Sequence, residues 1–95
     1  MTRAIVLNAA DNVATLLRSG LEGESCTLEG ERSGEVKLRQ DVAFGHKVCI
    51  ADTAAGASVV KYGEVIGRAS RQIRVGEHAH VHNIQSRRQS DLSGA

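Results

Sequence analysis

The sequence contains no proline and no tryptophan, and its aromatic side chains are limited to Phe44 and Tyr62. The apolar core must therefore come from Val, Ile, Leu and Ala, and the turns from Gly, Asn, Asp and Ser. The 95 residues predict one small domain, since a fold of this size buries only about 60–65% of the surface of its unfolded chain. The chain is too short for a self-contained dinucleotide-binding or kinase fold. Its apolar content of 41% argues against disorder.

Long apolar runs are also missing from the sequence. No stretch approaches the roughly 20 apolar residues that a membrane span requires, and the first residues lack the apolar segment of a signal peptide. We therefore expect a cytoplasmic protein without a membrane partner. The formal net charge of +1 gives no electrostatic argument for a nucleic-acid partner either.

The two cysteines, Cys26 and Cys49, do not form a CxxC pair, which excludes a zinc ribbon. A disulfide is not expected in a cytoplasmic protein. Both cysteines lie in apolar contexts, which favours small buried thiols.

The apolar pattern predicts a mostly β domain with one short helix near the N-terminus. The helix is predicted over residues 13–17, because apolar residues recur at helical spacing between Asp11 as a cap and Gly20 as a stop. Short strands separated by glycines, at a spacing typical of a barrel or sandwich, are predicted at 4–7, 25–28, 36–38, 47–51, 58–62, 65–69 and 79–84. Residues 1–84 would form the domain and residues 85–95 a polar tail or linker.

Three of the four histidines, His78, His80 and His82, lie within five residues. On a strand they would share one face, with neighbours about 6.6 Å apart and the outer pair about 13 Å apart. An adjacent pair could bind one metal ion through bonds of about 2.0–2.1 Å, with a further ligand from elsewhere. A solvated polar face and a substrate or proton-transfer site fit the same spacing, so the three interpretations stay open.

Two other segments place cations near predicted strands. Gly45-His46-Lys47 sets an imidazole and an ammonium after a glycine that permits a tight turn; a polar surface turn is the alternative. Lys61 could bind a carboxylate as a compact point charge, or be an ordinary exposed lysine. We expect Lys61 and Tyr62 to point to opposite faces, before a hairpin corner at Gly63-Glu64.

Taken together, three segments resemble the small N-terminal domain of the altronate and galactarate dehydratase family, within the SAF superfamily. They are Asp11-Asn12-Val13-Ala14, Gly45-His46-Lys47 together with residues 59–69, and residues 76–84. The similarity runs from about residue 4 to residue 84. It implies an SAF-type β-clip fold, which is a small barrel of bent strands.

The resemblance also implies a lyase that removes water from an acidic sugar such as altronate or galactarate and requires a divalent metal, typically iron. In that family the small domain is usually fused to a larger catalytic domain, and in some members the two are separate. The small subunit of sulfolactate sulfo-lyase, which eliminates sulfite from a sulfonate, has the same pattern. We expect a small subunit that is inactive alone and completes a site with a large catalytic subunit. The alternatives are the small subunit of a sulfolactate sulfo-lyase and a non-catalytic carbohydrate-binding or assembly module, and homo-oligomerisation stays open.

The same resemblance implies roles for individual residues. It implies catalytic roles for His46, Lys47 and His82, substrate binding by Lys61, Tyr62 and Asn83, and metal binding by His80 and His82. Two positions depart from the family pattern: Ala43 and Phe44 stand where a proline often precedes the Gly-His-Lys element, and His78 stands where a bulky apolar residue is frequent. The second departure favours the His80/His82 pair over all three histidines as ligands.

Overall fold

The computed structural model describes residues 2–80 and 82–86, and the regular secondary structure of this part of the chain is entirely β. Its strands are β1 (Thr2–Val6), β2 (Val13–Leu16), β3 (Ser25–Gly30), β4 (Gly34–Lys37), β5 (Lys47–Cys49), β6 (Ser58–Lys61), β7 (Glu64–Ala69), β8 (His78–Ala79) and β9 (Ile84–Ser86). The prediction of a mostly β domain is confirmed. Within the described residues, no helix has the length and apolar character needed to cross a membrane. The predicted tail lies outside the described residues from position 87 onward, and β9 occupies its first two positions.

Two sheets make up the fold. Six strands form a curled, half-barrel sheet in the order β4-β3-β1-β2-β5-β8, and three form a second sheet in the order β6-β7-β9. β1 and β3 run parallel, whereas the other paired neighbours are antiparallel. The arrangement is consistent with the small barrel expected of an SAF domain.

The predicted helix over residues 13–17 is wrong, because this segment forms strand β2. β2 is hydrogen-bonded between β1 and β5, with Ala14 opposite Val48 and Leu16 opposite Ala4. Val13 is buried on one of its faces and Ala14 and Leu16 on the other, so its apolar residues do not alternate with polar ones and periodicity cannot distinguish the segment from a short helix. The β-branched Val13 and Thr15 were the local signal for a strand.

The β2–β5 ladder separates two hydrophobic cores. Alternate residues point to opposite faces, so Ala14, Leu16 and Val48 enter one core while Val13 and Cys49 enter the other. The first core also contains Ala4, Val6, Cys26, Leu28, Val36, Leu38, Val42 and Ile50, and the second contains Val59, Ala69, Ile73 and Ala79. The predicted buried free thiols are thus confirmed, with one in each core.

The hairpin between β6 and β7 turns one residue earlier than predicted. Lys61 pairs with Glu64, so the turn residues are Tyr62 and Gly63. Both have positive φ, 55° and 77°, as in a type I′ turn, whose twist matches that of the flanking strands. The predicted corner at Gly63-Glu64 overlooked this turn because tyrosine is an uncommon residue in the left-handed region.

Leu16 provides a test of the two-core arrangement. Its side chain is fully buried, so we expect Leu16→Ala to lower the free energy of unfolding by about 3 kcal/mol. Leu21 is 62% exposed, and Leu21→Ala should stay within about 0.5 kcal/mol of the unaltered chain. Chemical denaturation measures both variants, and equal losses would contradict the burial of Leu16.

Candidate functional site

The candidate site lies at the end of the β2–β5–β8 ladder. In the β5–β8 pair Lys47 is opposite Ala79 and Val48 is opposite His78. Continuing this register by one residue places His46 opposite His80. Residues directly opposite on antiparallel strands have Cβ atoms about 5 Å apart, so strand pairing alone brings these imidazoles together.

All four histidines of the chain meet at this point, and we call them the histidine cluster. The ring centroids of His46 lie 4.8 Å from that of His80 and 5.1 Å from that of His78. Nδ1 of His46 and Nε2 of His78 are 2.9 Å apart, so one donates a hydrogen bond to the other. His82 is the exposed member of the cluster, with its ring centroid 5.2 Å from that of His78.

The predicted strand over residues 79–84 is wrong, and the correction explains how the cluster forms. β8 ends at Ala79, and the carbonyl of His80 accepts hydrogen bonds from the amides of Asn83 and Ile84 at 3.0 and 2.9 Å. On a straight strand His78 and His82 would be about 13 Å apart. The turn instead folds the chain back and brings their rings into contact.

The buried side chain of Asn83 stabilises this turn through hydrogen bonds to the backbone. The residue is 2% exposed. Its Oδ1 accepts from the His80 amide at 2.9 Å, and its Nδ2 donates to the His78 carbonyl at 2.8 Å. Both ends of the side-chain amide are therefore bonded to the backbone. The predicted substrate contact of Asn83 stays a prediction, and the structure gives this residue a part in shaping the cluster.

Lys61 and Tyr62 lie beside the part of the ladder that carries Thr15 and Lys47. Lys61 Nζ is 4.8 Å from the centroid of the Tyr62 ring, and the Tyr62 hydroxyl is 3.1 Å from Thr15 Oγ1. Thr15 in turn lies opposite Lys47 in the β2–β5 pair. Lys61 and Tyr62 therefore stay together, contrary to the expectation of opposite faces, because Tyr62 is a turn residue and does not continue the alternation of the strand.

The electrostatics of the site favour neutral imidazoles beside lysine cations. Burial, and then the charge of His82, lowers the pKa of His78 from 6.5 to about 4. Desolvation, followed by the charge of Lys47, lowers the pKa of His80. Burial, and then the charge of Lys61, lowers the pKa of Lys47. Such a site offers imidazole lone pairs to a proton or metal ion, and its mutually repelling cations are stabilised by a bound anion.

Three members of the cluster have the donor set of a metal centre. The ligand nitrogens of His46, His78 and His80 all lie within 4.8 Å of one another. Tetrahedral ligands on bonds of about 2.1 Å are about 3.4 Å apart, so small rotations of the imidazoles would close the site. The predicted ligand pair, His80 and His82, shares only His80 with this trio. The sequence signal for His46 was the Gly-His-Lys element, but its partners depend on the register of β5 against β8.

Comparisons with known proteins agree with this architecture. The family model described as the altronate/galactarate dehydratase SAF domain matches residues 2–87. Altronate dehydratase of Escherichia coli (strain K12) is 44% identical over 82 residues, which are 86% of this chain and 16% of that protein. The (2R)-sulfolactate sulfo-lyase subunit alpha of Chromohalobacter salexigens is 35% identical over 88 residues, which are 88% of this chain and 94% of that subunit. The chain thus spans a small part of one relative and nearly all of the other.

Titration of the metal-free chain tests the electrostatics of the cluster. We expect the ring protons of His78 to titrate near pH 4 by NMR in the presence of EDTA. An unfolded chain takes up this proton near pH 6.5, so it binds more protons than the folded chain between the two values. The free energy of unfolding should therefore decrease as the pH falls through this window. A His78 midpoint at or above 6.5 would contradict the arrangement.

Proposed function

The chain belongs to the altronate/galactarate dehydratase SAF domain family, and from this premise we propose that it is the small component of a lyase that removes water from a sugar acid such as altronate or galactarate. The observation that carries the proposal is the meeting of the histidine cluster with Lys47 at one end of the β2–β5–β8 ladder, where the charge of Lys61 also reaches Lys47. Acid substrates are anionic, and the lysines provide the complementary charge.

The proposed chemistry divides among residues of the site. Removing water from a 2,3-dihydroxy acid requires a base that takes the proton α to the carboxylate and an acid that protonates the leaving hydroxyl. We assign these proton transfers to His46 and His82, of which His82 is exposed to an approaching substrate. Lys47 would stabilise the negative charge that develops on the substrate. Lys61 and the Tyr62 hydroxyl would bind its carboxylate or hydroxyl groups.

A divalent metal, iron in our proposal, fits the imidazole trio. His46, His78 and His80 would hold it, because their ligand nitrogens already lie within 4.8 Å of one another. When bound, such an ion supplies Lewis acidity toward a substrate oxygen. This assignment leaves His82, the other predicted ligand, available for proton transfer. His46 would serve either as a metal ligand or in proton transfer, and metal binding by histidine variants distinguishes these two roles.

A larger catalytic partner would complete the active site. The aligned part of the Escherichia coli altronate dehydratase is 16% of that protein, so most of the dehydratase lies in regions that this chain does not match. The chain covers 94% of a sulfo-lyase subunit alpha, which supports a small subunit paired with a separate large one.

The same coverage favours a second candidate, the small subunit of a sulfolactate sulfo-lyase. The lysine pair and imidazoles suit a sulfonate as well as a carboxylate, because both are anions. The two candidates differ in the leaving group, which is water from a sugar acid and sulfite from sulfolactate. An elimination assay that compares altronate, galactarate and sulfolactate therefore distinguishes them.

Reconstitution tests the role of Lys47. We expect the chain alone to show no turnover and co-expression with the large subunit to restore it. In the complex, Lys47→Met should lower kcat/KM by about a hundredfold or more, since a charge that stabilises the transition state is lost. Lys37 is exposed on β4, and Lys37→Met is the matched control that should retain activity. Turnover by the chain alone, or full activity of Lys47→Met, would contradict the proposal.

Metal binding tests the trio against the predicted pair. In anaerobic calorimetry with Fe²⁺, we expect His78→Gln to weaken binding by at least about tenfold, because a ligand is lost, and His82→Gln to change it by less than about threefold. His46→Gln should weaken binding as His78→Gln does, because His46 belongs to the trio, and unchanged binding would leave His46 to proton transfer alone. A large loss in His82→Gln with none in His78→Gln would support the His80/His82 pair instead.

A further inference from the structure

The turn that carries Tyr62 is held in an unfavourable backbone conformation. Among the described residues, Tyr62 is the non-glycine residue with positive φ, at 55°. Residues with a side chain rarely adopt this region, and turns of this type are usually built from Asn, Asp or Gly. Such a conformation persists where neighbouring contacts stabilise it. For Tyr62 these contacts come from the connection between β1 and β2.

Asp11 makes the contact that fixes the second turn residue. Asp11 is 1% exposed. Oδ1 accepts a hydrogen bond from the Gly63 amide at 2.8 Å, and Oδ2 accepts one from the Asn8 amide at 3.3 Å. A Cβ on Gly63 would lie 2.6 Å from Asn8 Nδ2, so the turn is pressed against the β1–β2 connection. The carboxylate thus ties two segments that are 52 residues apart in sequence.

Asn12 secures the strand that leads into the turn. Its Oδ1 accepts from the Val60 amide at 2.7 Å, and its Nδ2 donates to the Ser58 carbonyl at 2.9 Å. Its backbone amide also donates to the Val60 carbonyl at 3.1 Å. Hydrogen bonds therefore hold β6 before the turn and Gly63 within the turn. Lys61 and Tyr62 lie between these two hydrogen-bonded positions.

We propose that Asp11 is a positioning residue for the active site, acting through the Gly63 amide to hold Lys61 and Tyr62 toward Thr15 and Lys47. From this left-handed turn the Tyr62 hydroxyl reaches Thr15 Oγ1 at 3.1 Å, and Thr15 lies opposite Lys47. Asp11 itself is buried and does not meet the substrate. This inference rests on the proposed function for its effect on catalysis, whereas its effect on the turn stands on the contacts alone.

Spectroscopy tests the turn without an activity assay. Tyr62 is the only tyrosine and the chain has no tryptophan, so its NMR ring signals and fluorescence report on the turn. We expect Asp11→Asn to shift the Tyr62 ring signals and to reduce the protection of the Gly63 amide from hydrogen exchange, because the amide oxygen of Asn is uncharged and can replace only one of the two carboxylate acceptors. Asp41→Asn is the matched control, because Asp41 Oδ1 accepts a backbone hydrogen bond from Glu22 at 2.8 Å. Unchanged Tyr62 signals and Gly63 protection in Asp11→Asn would overturn the inference.

Kinetics of the complex with the large subunit test the effect on catalysis. Asp11→Asn should displace Lys61 and Tyr62, because one charge-assisted hydrogen bond is lost. We therefore expect KM to rise about tenfold and kcat to stay within about twofold of the unaltered value. Asp41→Asn should match the unaltered enzyme. A shift in Tyr62 signals with an unchanged KM would overturn the positioning role. Absence of lyase activity in the unaltered complex would refute the proposed function and leave the spectroscopic test of the turn intact.

Two further measurements, one on the unaltered chain and one on the Thr15→Val variant, cover the case in which Asp11→Asn does not fold. In the unaltered chain the Gly63 amide should exchange slowly although the residue is exposed, and fast exchange would overturn the contact. Thr15→Val leaves Asp11 in place and removes only the hydroxyl partner of Tyr62. It should shift the Tyr62 signals and raise KM in the same direction, and an unchanged KM would overturn the role of the turn in substrate binding.

Discussion

The arrangement of the molecule depends on one strand pair that is buried on both faces. β2 and β5 send alternate side chains into two cores, so neither strand can slide without exposing apolar groups on one side and burying polar groups on the other. The same pair ends at Thr15 and Lys47. Packing in the cores therefore determines the position of the polar site, and no separate framework is required to align it.

From this ladder the site extends in two directions. On one edge, the register of β8 against β5 brings His78 and His80 to His46. The β6–β7 hairpin approaches from the second sheet and brings Lys61 and Tyr62 to Thr15. The first direction supplies imidazoles, of which His78 and His80 have lowered pKa values, and the second supplies positive charge and a hydroxyl. Imidazoles beside positive charge suit an anionic substrate and proton transfer next to it, which is the basis of the proposed elimination chemistry.

Sequence reasoning reached the class of fold and the residues of the site, but not their geometry. Composition and glycine spacing indicated β structure, and apolar contexts indicated buried thiols at Cys26 and Cys49. The helix prediction failed because β2 has buried apolar residues on both faces. The histidine trio could not be derived, because the partner of His46 is 32 residues away and depends on strand register. Asp11 resembled a helix cap because it precedes an apolar run, and its actual partner, the Gly63 amide, is 52 residues away in sequence.

The distance in sequence between His46 and His78 has a thermodynamic consequence. Their ring nitrogens are 2.9 Å apart only in the folded domain, and the unfolded chain has no corresponding arrangement. Any species that bridges the cluster therefore binds the native state selectively. By mass action, such a ligand at about one hundred times its dissociation constant would add about 2.7 kcal/mol to the free energy of unfolding. For a domain with two small aliphatic cores, occupancy of the site and persistence of the fold would then be coupled properties.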